Sequence, residues 1–154
     1  MRLAALRPDE VAELVDFLGQ VDLTLSGLDA PSVRLWTQRD ETGRIVGSTG
    51  YELSVDRRHA LIRSVAVAPD RRAAGSGSAL ARFALDRASD EGAGTAWLFS
   101  RRSGPFWQGL GFHPAETVEL ARVLGETHQV TLFRSTGQLL REVAWSRPLG
   151  DAAG

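Results

Sequence analysis

The chain has 154 residues, of which 43% are apolar and 24% charged, and its formal net charge is −1. This balance argues against a polyanionic partner such as nucleic acid, because that mode of binding depends on clustered excess positive charge. The absence of cysteine excludes a disulfide framework. The sequence shows no secretory leader and no apolar run that could cross a bilayer, so we expect a cytoplasmic protein with no membrane partner.

The chain is predicted to form a single domain over residues 1–150, with 151–154 as a loose end, because one core suits this length. The first half should contain, in order, a strand (2–6), a helix (8–21), a loop (23–32), a hairpin (33–38 and 44–53) and a central strand (61–68). The helix is predicted from proline at its first turn and from Leu14, Val15 and Leu18 on one face.

The second half should contain, in order, a helix (76–91), a strand (95–100), a short helix before residue 112, a helix (118–124) and a final strand (142–147). In the first of these helices Leu80, Phe83, Ala84 and Ala88 recur at helical spacing. Apolar and polar residues alternate over 130–133 as they would in a strand, so the secondary structure after residue 112 is ambiguous.

The segment between the central strand and the following helix carries the main functional signal. It contains Pro69 and then Arg72-x-x-Gly75-x-Gly77, after which the amphipathic helix begins. A helix begun by small residues leaves its first amide N–H groups unpaired, and its dipole places about half a positive charge there. The segment therefore predicts a site for a phosphorylated ligand.

The segment does not have the residue spacing of two common phosphate-binding motifs. A P-loop requires lysine followed by serine or threonine after its last glycine, and this chain contains no lysine. A dinucleotide-binding fingerprint requires a small residue three positions after the second glycine, where this chain has Leu80. A P-loop NTPase is therefore excluded, and a dinucleotide-binding protein is disfavoured.

The pattern instead resembles the acyl-CoA pyrophosphate loop of the GNAT N-acetyltransferase superfamily. The likeness extends to an apolar strand over residues 95–100 and to Gly104-Pro105-Phe106-Trp107-Gln108-Gly109-Leu110-Gly111-Phe112, which is similar to the family's short helix ending in Leu-Gly-Phe. The resemblance implies an α/β fold with a mixed, mostly antiparallel central sheet flanked by helices. It also implies a transferase that moves acetyl from acetyl-CoA to the primary amine of a small molecule, without a metal.

The same resemblance assigns residues that bind coenzyme A. Main-chain groups of Val65, Ala66 and Val67 would pair with the pantetheine arm, and the thioester would lie where two neighbouring strands splay apart. The diphosphate would be held by Arg72, Ala73, Ala74, Gly75, Ser76, Gly77 and Ser78. Trp107 is also expected to bind the coenzyme. Many relatives carry a tyrosine acid at this position, whereas the indole of Trp107 donates a hydrogen bond but does not give up its proton. Tyr51, the only tyrosine, is a candidate substitute.

Direct acyl transfer requires a base that takes a proton from the attacking amine. Some relatives place a glutamate where this chain has Leu61, so another group must serve. Glu52 ends the neighbouring hairpin strand, and we expect it opposite residues 62–64. There it would steer or deprotonate the amine, or else form an ion pair with Arg63. His59 is the alternative base, unless it belongs to a solvated turn.

A finer resemblance points to substrate contacts. Gly50-x-Glu52, the strand containing Arg63, and Phe106-Trp107 are similar to an arsenic-resistance N-acetyltransferase branch, related to acetylases of arsinothricin-like amino acids. On that resemblance Arg63 would bind a substrate carboxylate or phosphinate-like anion, and Glu52 would receive the ammonium. Ser100, near the predicted splay, would contact substrate or satisfy local backbone groups.

The sequence is compatible with two other functions. The replacement of tyrosine by Trp107 favours a catalytically weak acyl-CoA-binding sensor, and a protein N-acetyltransferase acting on peptide amines is the other alternative. Family members often dimerise, so a homodimer is also left open.

Overall fold

The structure, a computed structural model, describes residues 3–20, 27–28, 30–71 and 75–149. These residues form seven strands: β1 (Ala4–Ala5), β2 (Val33–Arg39), β3 (Ile45–Leu53), β4 (His59–Val67), β5 (Thr95–Phe99), β6 (His113–Ala115) and β7 (Ala144–Pro148). They also form five helices: α1 (Val11–Gln20), α2 (Ser76–Asp90), α3 (Gly104–Gln108), α4 (Thr117–Val123) and α5 (His128–Thr136). Short 3-10 turns occur at Pro8–Glu10, Pro69–Arg71 and Gln138–Arg141.

The strands form one sheet in the order β1-β2-β3-β4-β5-β7-β6. β4 and β5 run parallel, as expected for strands joined by a crossover helix, and the other neighbours are antiparallel. The prediction of a mixed, mostly antiparallel sheet flanked by helices is confirmed. β6 was not predicted, because three residues are too few for a period-2 pattern.

One face of the sheet, called here the α2 face, is covered by α2. Trp36, Tyr51 and Ile62 project from β2, β3 and β4 into a cluster with the buried side of this helix. Leu80 and Ala84, both predicted on the apolar side of α2, are fully buried. The helical spacing read from the sequence therefore identified the correct packing side.

The opposite face, called here the α1 face, is covered by α1, α4 and α5. Leu14 and Leu18 of α1 are fully buried in a cluster with residues of β2 and β3. Leu61 of β4 packs in another cluster with residues of α4 and α5. Directly paired residues of neighbouring strands point to the same face, so Glu52, which pairs with Val33 and Leu61, lies on the α1 face.

β4 and β5 separate soon after they begin. They pair at three register positions, of which Leu61 with Trp97 is the last. β4 then continues to Val67, and β5 continues to Phe99. A gap between the two strands therefore opens beyond Leu61, toward the C-terminal ends of both.

A β-bulge in β4 shifts the register in which β4 pairs with β3. Between the pairs Ser48–Ala66 and Gly50–Arg63, β4 contains one residue more than β3. Ser64 in this bulge has a φ of 60°, and its carbonyl accepts a hydrogen bond of 2.6 Å from Ser48 Oγ. Without the bulge, Glu52 would face Ile62; with it, Glu52 faces Leu61. The predicted position of Glu52 opposite residues 62–64 is therefore wrong by one residue.

Residues 130–133 belong to helix α5, so the strand-like reading of their alternation is wrong. The Thr127 hydroxyl accepts a hydrogen bond from the Val130 N–H and caps the helix, and Gly137 ends it with a φ of 78°. Val130 is fully buried, and Phe133, three residues later, packs against Phe99. Four residues are too few to separate this helical spacing from alternation.

Within the described part of the chain, the helices are too short or too polar to span a bilayer.

Candidate active site

The N-terminus of α2 presents main-chain N–H groups that make no hydrogen bond within the helix. Gly75 precedes the helix with a φ of 76°, a conformation that glycine adopts without strain, and it has no side chain to cap the helix. The first helical bond runs from the Ala79 N–H to the Gly75 carbonyl at 3.1 Å. The N–H groups of Ser76, Gly77 and Ser78 precede that bond, so they lie at the positive end of the helix dipole.

Gly77 lies between the α2 N-terminus, α3 and β4. A Cβ built at Gly77 would be 3.6 Å from Phe106 Cε1 and 3.9 Å from Val67 Cγ2, which are ordinary contact distances. The protein's own packing therefore does not require glycine here. A ligand that approaches the main chain closely would require it.

The rest of the predicted diphosphate loop, Arg72, Ala73 and Ala74, lies outside the described residues. The assignment of these three residues stays a prediction.

The gap between β4 and β5 adjoins the α2 N-terminus. Ala66 and Val67 pair with Ser48 and Gly47 of β3, whereas the pairing of β4 with β5 has already ended at Leu61. Successive residues of a strand direct their main-chain groups alternately to its two sides. β4 beyond Leu61, which includes Val65, therefore turns part of its main chain toward the gap.

Trp107 lies in the core of the α2 face. Its side chain is 8% exposed and makes edge contacts with Phe106 and Phe112, at 4.9 and 5.4 Å between ring centroids. Phe106 is 36% exposed and lies beside Gly77. In this helix, Phe106 is therefore the aromatic residue at the surface beside the α2 N-terminus. The role of Trp107 in coenzyme binding stays a prediction.

Glu52 is almost completely buried on the α1 face, with 2% of its side chain exposed. Its Oε1 accepts the main-chain N–H of His128 at 2.9 Å, and its Oε2 lies 2.9 Å from His128 Nδ1. Ser32 Oγ also donates to Oε2, at 3.1 Å. Both carboxylate oxygens are thus engaged, mainly by a single residue of α5.

His128 is the residue of the site that sequence reasoning missed. It lies 76 positions from Glu52 and has no partner that the sequence reveals. The only local signal is Thr127, whose capping hydroxyl marks the start of α5 and therefore places His128 at the first position of that helix. The imidazole is 43% exposed, unlike the carboxylate beside it.

Arg63 also lies on the α1 face and is 4% exposed. Burial lowers the pKa of its guanidinium to about 10, and the negative charge of Glu52 acts in the opposite direction. Arg63 therefore stays cationic at neutral pH. Its Nε donates to Ser64 Oγ at 3.3 Å. The hydrogen bonds of Glu52 among the described residues go to His128 and Ser32, not to Arg63.

Tyr51 lies on the α2 face, away from Glu52. Its hydroxyl donates to Glu91, and burial, together with the Glu91 carboxylate, raises its pKa above the usual range for tyrosine. Arg34 Nε and Arg57 Nη2 bind the same carboxylate at 3.3 and 2.9 Å. This cluster links the C-terminus of α2 to β3. Tyr51 is therefore not placed to act as an acid at the gap between β4 and β5.

Ser100 and His59 have local partners. Ser100 Oγ accepts the Ser103 N–H at 3.1 Å, and the Ser100 carbonyl accepts the Trp145 indole N–H at 2.9 Å. His59 Nδ1 accepts the Trp97 indole N–H at 3.1 Å, at the closed end of the β4–β5 pairing. Substrate contact by Ser100 stays a prediction.

A pocket of about 900 Å³ lies beside Glu52. Its wall combines the start of β2, the β3–β4 turn and the α4–α5 connection. Its charged lining residues are Arg34, Glu52, Asp56, Arg57, Arg122, Glu126 and Arg134. A pocket of this size and polarity is suited to a small, charged molecule. In the described ranges, no group of three or more metal-ligating side chains occurs.

The gap between β4 and β5 beside the α2 N-terminus agrees with the fold that the sequence resemblance implies. A family model for the acetyltransferase (GNAT) family matches residues 5–112. The chain belongs to this family. The matched region ends before α4 and α5, so the helical segment that contributes His128 lies outside it.

Solved structures with the same fold include coenzyme A complexes. A GNAT-family acetyltransferase from Staphylococcus aureus has a TM-score of 0.75 and 12% identity, over 97% of this chain and 99% of that one. The protein Rv2747 from Mycobacterium tuberculosis, solved with CoA, has a TM-score of 0.74 and 18% identity, over 97% of this chain and all of that one. These identities support the shared fold only.

N-acetylglutamate synthase from Neisseria gonorrhoeae, solved with coenzyme A and N-acetyl-glutamate, has a TM-score of 0.70 and 16% identity, over 98% of this chain. This chain spans only 36% of the length of that protein. Among curated proteins, none matches the chain by sequence.

Proposed function

We propose that the protein transfers acetyl from acetyl-CoA to the primary amine of a small molecule. The observation that carries the proposal is the gap beyond Leu61, which opens beside the uncapped N-terminus of α2. A coenzyme whose diphosphate binds the N–H groups of Ser76, Gly77 and Ser78 would have its arm directed along β4. Several neighbouring structures were solved with coenzyme A, including those from Neisseria gonorrhoeae and Mycobacterium tuberculosis.

The acceptor amine would approach from the α1 face. Glu52 and the charged pocket beside it lie on that side, directly across from Leu61, the last β4 residue paired with β5. The thioester in the gap and the amine in the pocket would then meet near Leu61, where the gap between β4 and β5 begins. Holding two reactants in such an arrangement contributes much of the rate enhancement in direct transfer.

The finer proposal is that the acceptor is an amino-acid-like molecule, including toxins of the arsinothricin type. Arg63 supports it, because a buried cation on the α1 face would bind a carboxylate or phosphinate. One neighbouring structure was solved with N-acetyl-glutamate and another is a nourseothricin acetyltransferase, which supports a small-molecule acceptor.

The test is to incubate the purified protein with acetyl-CoA and a panel of amines, and to follow the release of the coenzyme thiol. The panel should contain amino acids, amino acid analogues with phosphinate groups, aminosugars and lysine-containing peptides. Thiol release with a small amine, together with an acetylated product of the expected mass, would support the proposal. Release with the peptides alone would favour protein acetylation instead.

The second candidate is a coenzyme-binding sensor, and Trp107 is the specific observation that favours it. The buried indole cannot act as the acid that many family members supply from tyrosine. Tight binding of coenzyme A, measured by calorimetry, without thiol release on any amine would favour the sensor. No binding at all by folded protein would refute both.

A further inference from the structure

We propose that His128 is the catalytic base of the transfer reaction, and that Glu52 is a positioning residue that orients it. The inference rests on the proposed acetyltransferase function. It reassigns the direct proton acceptor from the buried carboxylate to the imidazole.

Glu52 and His128 differ in how accessible their side chains are. Glu52 has 2% of its side chain exposed, and its two oxygens accept hydrogen bonds from His128 and Ser32. An amine that reached this carboxylate would have to displace those donors. The pocket wall includes Glu52 and not His128, but the imidazole of His128 is 43% exposed, so an acceptor can reach it from the solvent side of the pair without displacing a hydrogen-bond donor.

The contact with Glu52 also determines which ring nitrogen of His128 carries the hydrogen. An ionised carboxylate only accepts hydrogen bonds, so Nδ1, at 2.9 Å from Glu52 Oε2, carries the hydrogen. Nε2 then has a free lone pair, and among the described residues it has no hydrogen-bond partner. The carboxylate therefore fixes the tautomer in which Nε2 accepts a proton.

His128 is held in place from two sides. Glu52 holds His128 at two points, the main-chain N–H and the ring. On the other side, Gly27 lies so close that a Cβ there would be 2.6 Å from His128 Cγ. The ring is therefore confined between β3 and the segment that contains Gly27. Arg63 is close enough for its charge to interact with Glu52, and Glu126 and Arg134 line the neighbouring pocket.

The transfer step requires only the amine, the coenzyme thioester and the His128–Glu52 pair. The amine nitrogen forms the new C–N bond, the C–S bond breaks, and its electron pair leaves on the coenzyme sulfur. One N–H proton of the attacking amine passes to His128 Nε2. The imidazolium, stabilised by Glu52, returns that proton to the thiolate or to solvent.

The experiment compares His128→Gln, Glu52→Gln and the matched control His113→Gln. His113 is an exposed histidine on β6, and it is not among the residues that line the pocket beside Glu52. We expect His128→Gln to lower kcat by roughly 100-fold or more, while the KM for acetyl-CoA changes less than about threefold. Glu52→Gln should lower kcat by a smaller factor, and His113→Gln should retain wild-type activity.

Two readouts separate a base from a merely structural residue. The pH profile of the wild-type rate should differ in shape from that of the residual His128→Gln rate, because a variant without the base loses the proton-transfer step that the base contributes. Added imidazole should restore part of the activity of His128→Ala. If His128→Gln keeps wild-type kcat and pH profile, the base assignment is wrong while the acetyltransferase function stands. If wild type acetylates no amine, both proposals fail.

Discussion

Gly77→Ala should change two properties of the protein in opposite directions. In the free protein the new methyl would meet Phe106 and Val67 at 3.6 to 3.9 Å, so it fits without displacing either side chain. Replacing glycine in a helix by alanine reduces the freedom of the unfolded chain. We therefore expect the free energy of unfolding to rise by up to about 1 kcal/mol, or about 2–4 °C in Tm.

The affinity for coenzyme A should fall in the same variant. The methyl would occupy the space between the α2 N-terminus, Phe106 and β4, where the coenzyme is proposed to approach the main chain. Overpacking of one methyl typically costs about 1–3 kcal/mol, which corresponds to a Kd that is weaker by roughly 5- to 150-fold. Calorimetric titration measures this change directly, and the stabilisation of Tm by coenzyme A should shrink with it.

Gly19→Ala provides the matched control. Gly19 also lies in a helix, and a Cβ there would have no neighbour within 4 Å among the described atoms. This variant should gain similar stability and retain the wild-type Kd. If Gly77→Ala binds coenzyme A as tightly as Gly19→Ala does, then the coenzyme does not approach the start of α2, and the site proposed there is wrong.

Three further substitutions probe the structure around the site. Gly50→Ala would place a Cβ 2.3 Å from the main-chain oxygen of Arg34, so urea denaturation should show a loss of about 3 kcal/mol; a wild-type midpoint would contradict that close approach. Burial alone would raise the pKa of Glu91, but hydrogen bonds from Tyr51 and Arg34 and nearby arginine charges outweigh it and lower this pKa. The stabilisation is therefore present above about pH 4.5 and lost as the pH falls, so Glu91→Gln should destabilise at pH 7 and converge with wild type in acid; a constant difference would refute this origin. Trp107→Tyr should lower Tm without raising thiol release, because the indole is buried, and a faster rate would show instead that residue 107 reaches the sulfur.

Much of the fold follows from patterns that are local in the sequence. The helical spacing of Leu80, Ala84 and Ala88 predicted the buried side of α2, and the glycines before it marked its start. The hairpin of β2 and β3 was predicted from two apolar runs separated by a polar turn. Such features depend on residues within one or two turns of each other, so no tertiary information is needed to find them.

The details that decide the chemistry depend on distant contacts. The bulge at Ser64 requires a non-glycine residue at positive φ, and only the surrounding sheet holds it there. That single extra residue moves the partner of Glu52 from Ile62 to Leu61. The contact between Glu52 and His128 spans 76 positions, and no periodicity connects two elements so far apart.

The position of β7 has a consequence for how the protein is made. Its residues leave the ribosome after those of every other strand, yet they lie between β5 and β6 and pair with both. A nascent chain that stops before Ala144 would leave β6 without a neighbour and one side of β5 open to wrong pairing. β6 can therefore join the sheet only after β7 has been made, and loss of a few residues around Trp145 would be expected to detach β6 as well as β7.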